Sequence, residues 1–223
     1  TPITALELGC LSLEAGFPPG VFNIVNGDPK MIGKILSNDP IVKKITFTGS
    51  TEVGKLLMRN SSSTVKNISL ELGGNAPFIV FSDANIDEAI DGFLMAKFRN
   101  AGQTCISANR LFVHKSLSNS FTNKLVDRLK KLKVGDGMKS NDIGPVISNE
   151  ALKKIIDHVS DAKKNGAKII FGGKRHKLGG LFYEPTLISE VKKNMKVFKN
   201  ENFGPIIPLI EFENDNEVIN LSN

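Results

Sequence analysis

Four short segments hold the residue types that do chemistry. Cys105 ends the run Ala101-Gly102-Gln103-Thr104-Cys105, between an amphipathic stretch and an apolar one. A thiol in such a loop is open to solvent and to neighbouring backbone N–H groups, which stabilise both a thiolate and an adjacent oxyanion. A lone cysteine is more often a small buried hydrophobe, and Cys10, on a helix face, is read in that way. Glu71 closes an apolar run and precedes Leu72-Gly73-Gly74-Asn75-Ala76-Pro77. A carboxylate at the end of a parallel strand stands where open α/β sheets receive ligands, and a capping carboxylate at a turn is the plainer alternative. In Phe47-Thr48-Gly49-Ser50-Thr51-Glu52-Val53-Gly54 a strand runs into a glycine, a hydroxyl residue and a helix start. Free N–H groups at a helix N-terminus attract phosphate. Ser50 serves equally as an N-cap, and the segment is not the G-x-G-x-x-G fingerprint. Finally, Glu201-Asn202-Phe203-Gly204-Pro205 offers a carboxylate, an aromatic ring and a Gly-Pro turn. That set suits a ribose and a flat ring, or an ordinary turn.

These residues need elements to position them. Pro2–Ala15 has helical periodicity and ends at Gly16-Phe17-Pro18-Pro19-Gly20. Val21–Val25 reads as a short strand, Pro29–Ser37 as a helix, Lys44–Thr48 as a strand, and Gly49 to about Arg59 as a helix. Lys66–Leu72 is the next strand. Alternation of this kind predicts a parallel sheet covered by helices. Beyond Gly73 the pattern gives strands at Pro77–Phe81, Asn109–His114, Ala167–Phe171, Leu187–Ser189 and Ile206–Phe212. It gives helices at Asn85–Phe98, Ser118–Leu132 and Ser148–Lys164. The polar run 214–223 shows no obvious closing element. The expected fold class is α/β, divided near Gly73 into residues 1–72 and 73–223.

Bulk properties narrow the classes of function. The chain has 223 residues, 40% hydrophobic and 23% charged, as an ordinary globular protein has. No apolar run approaches the roughly 18 residues that span a membrane. The net charge is +6, but the lysines fall at helical spacing and one tyrosine is the only aromatic hydroxyl, so a nucleic-acid partner is not expected. Two cysteines build no disulfide framework, and His114, His158 and His176 are scattered, so no metal is expected.

Taken in order, F-T-G-S-T-E-V-G, E-L-G-G-N-A-P-F, G-Q-T-C and E-N-F-G-P resemble the aldehyde dehydrogenase superfamily from residue 1 to about 212. K-F-R-N-A-G-Q-T-C, E-L-G-G-N-A-P-F-I-V-F and G-G-K-R-H are similar to the succinate-semialdehyde dehydrogenases within it. The resemblance implies the later part of a Rossmann-like cofactor domain (1–72) followed by an α/β catalytic domain (73–223). It implies NAD or NADP as cofactor and a small aldehyde as substrate. Cys105 matches the nucleophile, Glu71 the water-activating base, and Gly49 and Ser50 the pyrophosphate contact. Glu201 matches the carboxylate on the nicotinamide ribose, Phe203 the residue beside the nicotinamide, and Arg99 the arginine that pairs with a distal carboxylate. Some relatives have a second cysteine two residues after the nucleophile; Ser107 stands there, so no redox disulfide is expected. The family's oxyanion-hole Asn, adenosine-binding lysine segment and C-terminal closing segment are expected outside residues 1–223. The piece alone is therefore expected to be inactive. The complete protein is expected to be a homo-oligomer of the cytoplasm or mitochondrial matrix. A broader aldehyde dehydrogenase and a truncated, non-catalytic relative are the alternatives.

Overall fold

The structure, a computed structural model, describes residues 2–223. The chain divides into two compact units, Thr1–Leu72 and Gly73–Asn223.

In the first unit the elements are α1 (Ile3–Glu14), α2 (Pro29–Asn38), β1 (Lys44–Gly49), α3 (Thr51–Ser61) and β2 (Asn67–Leu72). Asp28 caps α2, its carboxylate accepting from the N–H groups of Lys30 (2.7 Å) and Met31 (3.2 Å), and Pro29 opens the helix where its missing N–H is harmless. β1 and β2 pair in parallel, with Thr48 opposite Glu71 and Gly49 opposite Leu72. Helix α3 connects the two strands, and Gly54 admits the Leu72 side chain, whose Cδ2 would lie 2.6 Å from a Cβ there. The buried apolar side chains are few: Ile45 and Leu57.

Two expectations fail in this unit. Residues Val21–Val25 form no strand. A strand exists only when its N–H and C=O groups pair with another, and this segment instead lies across α1, with Ile24 against Gly9. Nor is Cys10 buried: it is exposed, because α1 has no buried residue at all.

The second unit is a three-layer sandwich. Its elements are β3 (Pro77–Val80), α4 (Ile86–Phe98), β4 (Arg110–His114), α5 (Lys115–Leu129), α6 (Asn149–Lys164), β5 (Lys168–Phe171), β6 (Thr186–Ser189), α7 (Lys196–Lys199), β7 (Ile206–Phe212) and α8 (Asp215–Ser222). The sheet order is β3-β4-β7-β6-β5, all parallel except the β5–β6 edge pair. Side chains alternate across the strands. Leu111, Val113, Leu187, Ile207 and Leu209 join Ile90, Phe93, Phe121 and Leu125 of α4 and α5 in one core. Phe112, Ile188, Ile206 and Ile210 join Leu152, Ile155 and Val159 of α6 in the other. Burial on both faces explains why these strands read as continuous apolar runs.

Helix α5 starts at Lys115, three residues before the expected Ser118, because His114 caps it by accepting from the Ser116 N–H (3.2 Å). The polar run at 214–223 does close the unit: Asn214 caps α8, accepting from the Glu217 N–H (3.0 Å), and Val218 is its one fully buried anchor. Among the described residues no helix is long and apolar enough to cross a membrane.

Candidate active site

In the first unit, Gly49, Ser50 and Glu71 stand together at the carboxyl end of the parallel pair β1–β2. Ser50 is the N-cap of α3, its Oγ accepting from Val53 N–H at 3.4 Å. The first intrahelical bond is Gly54 N–H to Ser50 C=O (3.0 Å), so the N–H groups of Thr51 and Glu52 have no intrahelical partner. Such an end, with its positive pole, suits a phosphate group. Gly49 also has a local reason to lack a side chain, since a Cβ there would collide with the Phe47 ring.

In the second unit, the nucleophile loop leaves α4 through a backbone reversal. Asn100, Ala101 and Gly102 all have left-handed φ angles of 53°, 57° and 77°. For alanine this region is costly and persists only where the surroundings enforce it. Here Ala101 is buried, and Gly102 packs so closely against the Gly204 carbonyl that no Cβ would fit. Gln103 pins the loop further: its Oε1 accepts from Ile147 N–H (2.8 Å) and its Nε2 donates to the carbonyls of Asn100 (3.1 Å) and Pro145 (3.4 Å). Ser107 N–H donates to Thr104 C=O (3.1 Å), closing a turn that leaves Cys105 exposed at its tip. The Cys105 N–H has no hydrogen-bond partner among the described residues, so it is free to donate to an oxyanion.

The Gly73-Gly74 turn and the Glu201 loop close on the same place. Gly74 N–H donates to Glu201 Oε1 (3.3 Å), and a Cβ at Gly73 would lie 2.5 Å from Glu201 Oε2. A Cβ at Gly74 would sit 4.0 Å from the Cys105 carbonyl oxygen. Thus the glycines of three motifs make room for one another around the cysteine loop. Phe203 has a left-handed φ of 49° and is half-buried. Strain in an aromatic residue beside a carboxylate is the kind that marks a ligand clamp.

Arg99 caps the C-terminus of α4 and is exposed, six positions before Cys105. No salt bridge holds it among the described residues. The neighbouring Lys97 does not serve the same helix end. It is fully buried, its Nζ has no hydrogen-bond partner, and burial pulls its pKa down to about 7. Glu71, Gly49 and Ser50 thus belong to the first unit, and Cys105, Arg99, Glu201 and Phe203 to the second.

Sequence reasoning missed a buried polar network in the second unit. Asn75, Asn109 and Asn202, one beside each motif, are bonded to one another, and Arg110 donates to Asn75 C=O through Nε (3.0 Å) and Nη2 (2.6 Å). The Arg110 guanidinium also stacks over Phe112 (5.5 Å) and Phe198 (5.4 Å) and ties down α8 through Ser222 C=O (2.7 Å). The available signal was that each Asn adjoins a glycine, proline or cysteine motif. Their partners lie up to 124 positions away, beyond the reach of local pattern.

The first unit thus offers a helix start suited to an anion, and the second an exposed thiol on a loop with left-handed backbone. Comparison with known proteins agrees: the sequence pattern of the aldehyde dehydrogenase family matches residues 1–223. The chain belongs to the aldehyde dehydrogenase family. It is 48% identical to the 3-sulfolactaldehyde dehydrogenase of Pseudomonas putida over all of this chain and 46% of that protein. It is 47% identical to the NADP(+) succinate-semialdehyde dehydrogenase of Escherichia coli K12, again over all of this chain and 46% of that protein. The solved structure of succinate-semialdehyde dehydrogenase from Burkholderia pseudomallei superposes with a TM-score of 0.97 at 50% identity, covering all of this chain and 46% of that one. The chain therefore spans about half the length of the relatives it matches.

Proposed function

We propose that residues 1–72 are part of an NAD(P)-binding domain and residues 73–223 part of the catalytic domain of an aldehyde dehydrogenase. In this reading the complete protein oxidises succinate semialdehyde to succinate. The observation that carries it is the convergence of the Gly73-Gly74 turn, Gly102 and the Glu201–Gly204 loop around the exposed Cys105.

Cys105 Sγ attacks the aldehyde carbon, and the carbonyl oxygen becomes an oxyanion held by the Cys105 N–H. Bound NAD(P) would supply the acceptor for the hydride lost from that carbon. Cys105 is then acylated as a thioester. Glu71 takes a proton from water, the hydroxide adds to the thioester carbon, and the thiolate leaves, giving the acid. Ser50 and the start of α3 hold the pyrophosphate, Glu201 the nicotinamide ribose, and Phe203 the face of the ring. The donor set fits: a helix start for an anion, a carboxylate for hydroxyls and an aromatic face for a flat ring. The relatives include an NADP(+) enzyme. By family likeness the complete protein works as a homo-oligomer in the cytoplasm or mitochondrial matrix.

Arg99 carries the substrate assignment. Its guanidinium is exposed, forms no ion pair among the described residues and stands six positions before Cys105 in the chain, and a planar fork suits a carboxylate. The relatives' names point to aldehydes with an acidic far end, the succinate and sulfolactate types. The competing reading is a broader aldehyde dehydrogenase in which Arg99 merely serves the α4 dipole. In the complete enzyme, Arg99→Ala should raise KM for succinate semialdehyde by about 1.5–3 kcal/mol in binding, roughly 10- to 150-fold, and leave butanal nearly untouched. An equal fall in kcat/KM for both aldehydes would end the succinate-semialdehyde reading and leave the broader one.

A further inference from the structure

Helix α6 touches none of the four motifs in sequence, yet it contributes a buried imidazole to one of them. His158 is 3% exposed, and its Nδ1 lies 2.9 Å from the side-chain oxygen of Asn202. Asn202 is completely buried and stands between Glu201 and Phe203. Its amide nitrogen already donates to the carbonyls of Val197 (3.2 Å) and Asn109 (3.3 Å). Both amide hydrogens are therefore used, the oxygen is the acceptor, and His158 Nδ1 carries the hydrogen. The Asn202 N–H donates to Asn109 Oδ1 (2.9 Å); Asn109 Nδ2 donates to Asn75 Oδ1 and to Asn200 C=O (3.1 Å). Asn75 in turn donates to Phe198 C=O (2.9 Å). One helical turn before His158, Ile155 packs on Gly204, where a Cβ would lie 2.5 Å from its Cδ1. So α6 grips the 201–204 loop at two points, one polar and one apolar.

A hydrogen-bonded network in which every amide is used has one geometry of low energy. It fixes the backbone on both sides of Asn202, including the left-handed Phe203. We propose that His158, acting through Asn202, is a positioning residue that sets Glu201 and Phe203 for the cofactor ring and so governs hydride transfer, without acting on the thiol. This rests on the reading that Glu201 and Phe203 contact the cofactor. Burial also pulls the His158 pKa below its ordinary value, keeping the ring neutral with a single N–H to give.

The test compares three variants of the complete enzyme: Glu201→Gln, His158→Leu and His158→Asn. The readouts are KM for NAD(P), the pre-steady-state burst of reduced cofactor, and the rate at which a thiol alkylator labels Cys105 without cofactor. His158→Leu should copy Glu201→Gln, raising KM or slowing the burst on the order of tenfold, the scale of one lost positioning hydrogen bond. Labelling of Cys105 should stay at the parent rate. His158→Asn, whose Nδ2 can occupy the place of the imidazole Nδ1, should restore much of the loss. If His158→Leu fails to fold, Asn202→Ala removes the same bond from its other end and replaces it in the comparison. If Glu201→Gln changes the cofactor parameters and neither His158→Leu nor Asn202→Ala does, the inference falls and the cofactor reading stands. If Glu201→Gln changes nothing, both fall. Loss of melting temperature alone, with kinetics intact, or an equal slowing of thiol labelling, also overturns it.

Discussion

The two units carry chemistry on unlike foundations. In the second unit, Cys105, Glu201 and Phe203 hang from a five-stranded sheet with apolar cores on both faces. Its loops are locked by glycine contacts and by the Asn75–Asn109–Asn202 network. In the first unit, Gly49, Ser50 and Glu71 hang from two strands, and a two-stranded sheet alone is marginal in water. Leu6, Leu8, Leu11 and Leu13 of α1 are all exposed there, with Ile3 at 78%. The difference teaches that a thiol loop needs geometry held to tenths of an ångström, which only dense packing gives. In the proposed reading Glu71 acts through a water and the start of α3 holds an anion, and both stand at the end of a strand.

The largest effect expected tests whether the lightly packed unit nonetheless holds an essential group. In the complete enzyme, Glu71→Gln should slow steady turnover by ~10²–10⁴-fold while the first burst of reduced cofactor survives, because only deacylation uses the base. Stopped-flow absorbance separates the two phases. A vanished burst together with slower Cys105 alkylation would show that Glu71 activates the thiol, and the division of labour between units would be redrawn.

Next comes the packing contrast itself. Phe93 is fully buried between α4 and the sheet, so Phe93→Ala should cost about 3–5 kcal/mol. Leu11, half exposed on α1, should cost less than about 0.5 kcal/mol on truncation to alanine. Urea midpoints measure both. Similar losses would mean that α1 is covered in solution.

A third test concerns a buried ammonium in the second unit. Lys97 has its pKa lowered from 10.5 to about 7 by burial alone. Between those values the unfolded chain binds the extra proton, so stability should rise from pH 7 to pH 10.5 and be flat below. Lys97→Met should remove that slope and stabilise the protein at pH 7, with about 5 kcal/mol as the upper bound at about 1.4 kcal/mol per pH unit. Unfolding at pH 7 and pH 10 reads it. An unchanged midpoint, with the slope absent in the parent, would show that the ammonium has found a partner in the complete protein.

Much of the fold was legible because its signals are local. Alternation of helix and strand, the Ser50 cap and continuous apolar strands each follow from side chains acting within one turn or one neighbour. The expected strand at Val21–Val25 failed because pairing is not local, and α8 was missed because its single anchor, Val218, gives no periodicity to read. Cys10 was misjudged for a related reason: an apolar helix face shows a need for burial, not that anything buries it.

By itself the sequence determined which groups are present and in what order: a cysteine after Gly-Gln-Thr, a glutamate ending a strand, an acid–aromatic pair before Gly-Pro, and an α/β alternation to hold them. These follow from residue type and short spacing, which the chain carries without folding. The tertiary structure alone decided that Gly73 faces Glu201, that Gly102 faces Gly204, that His158 reaches Asn202 across 44 positions, and that Lys97 is sealed from water. Each of those facts joins segments far apart in the chain. Their free energy comes from close packing and from excluding water around polar atoms, quantities that exist only once the layers have closed.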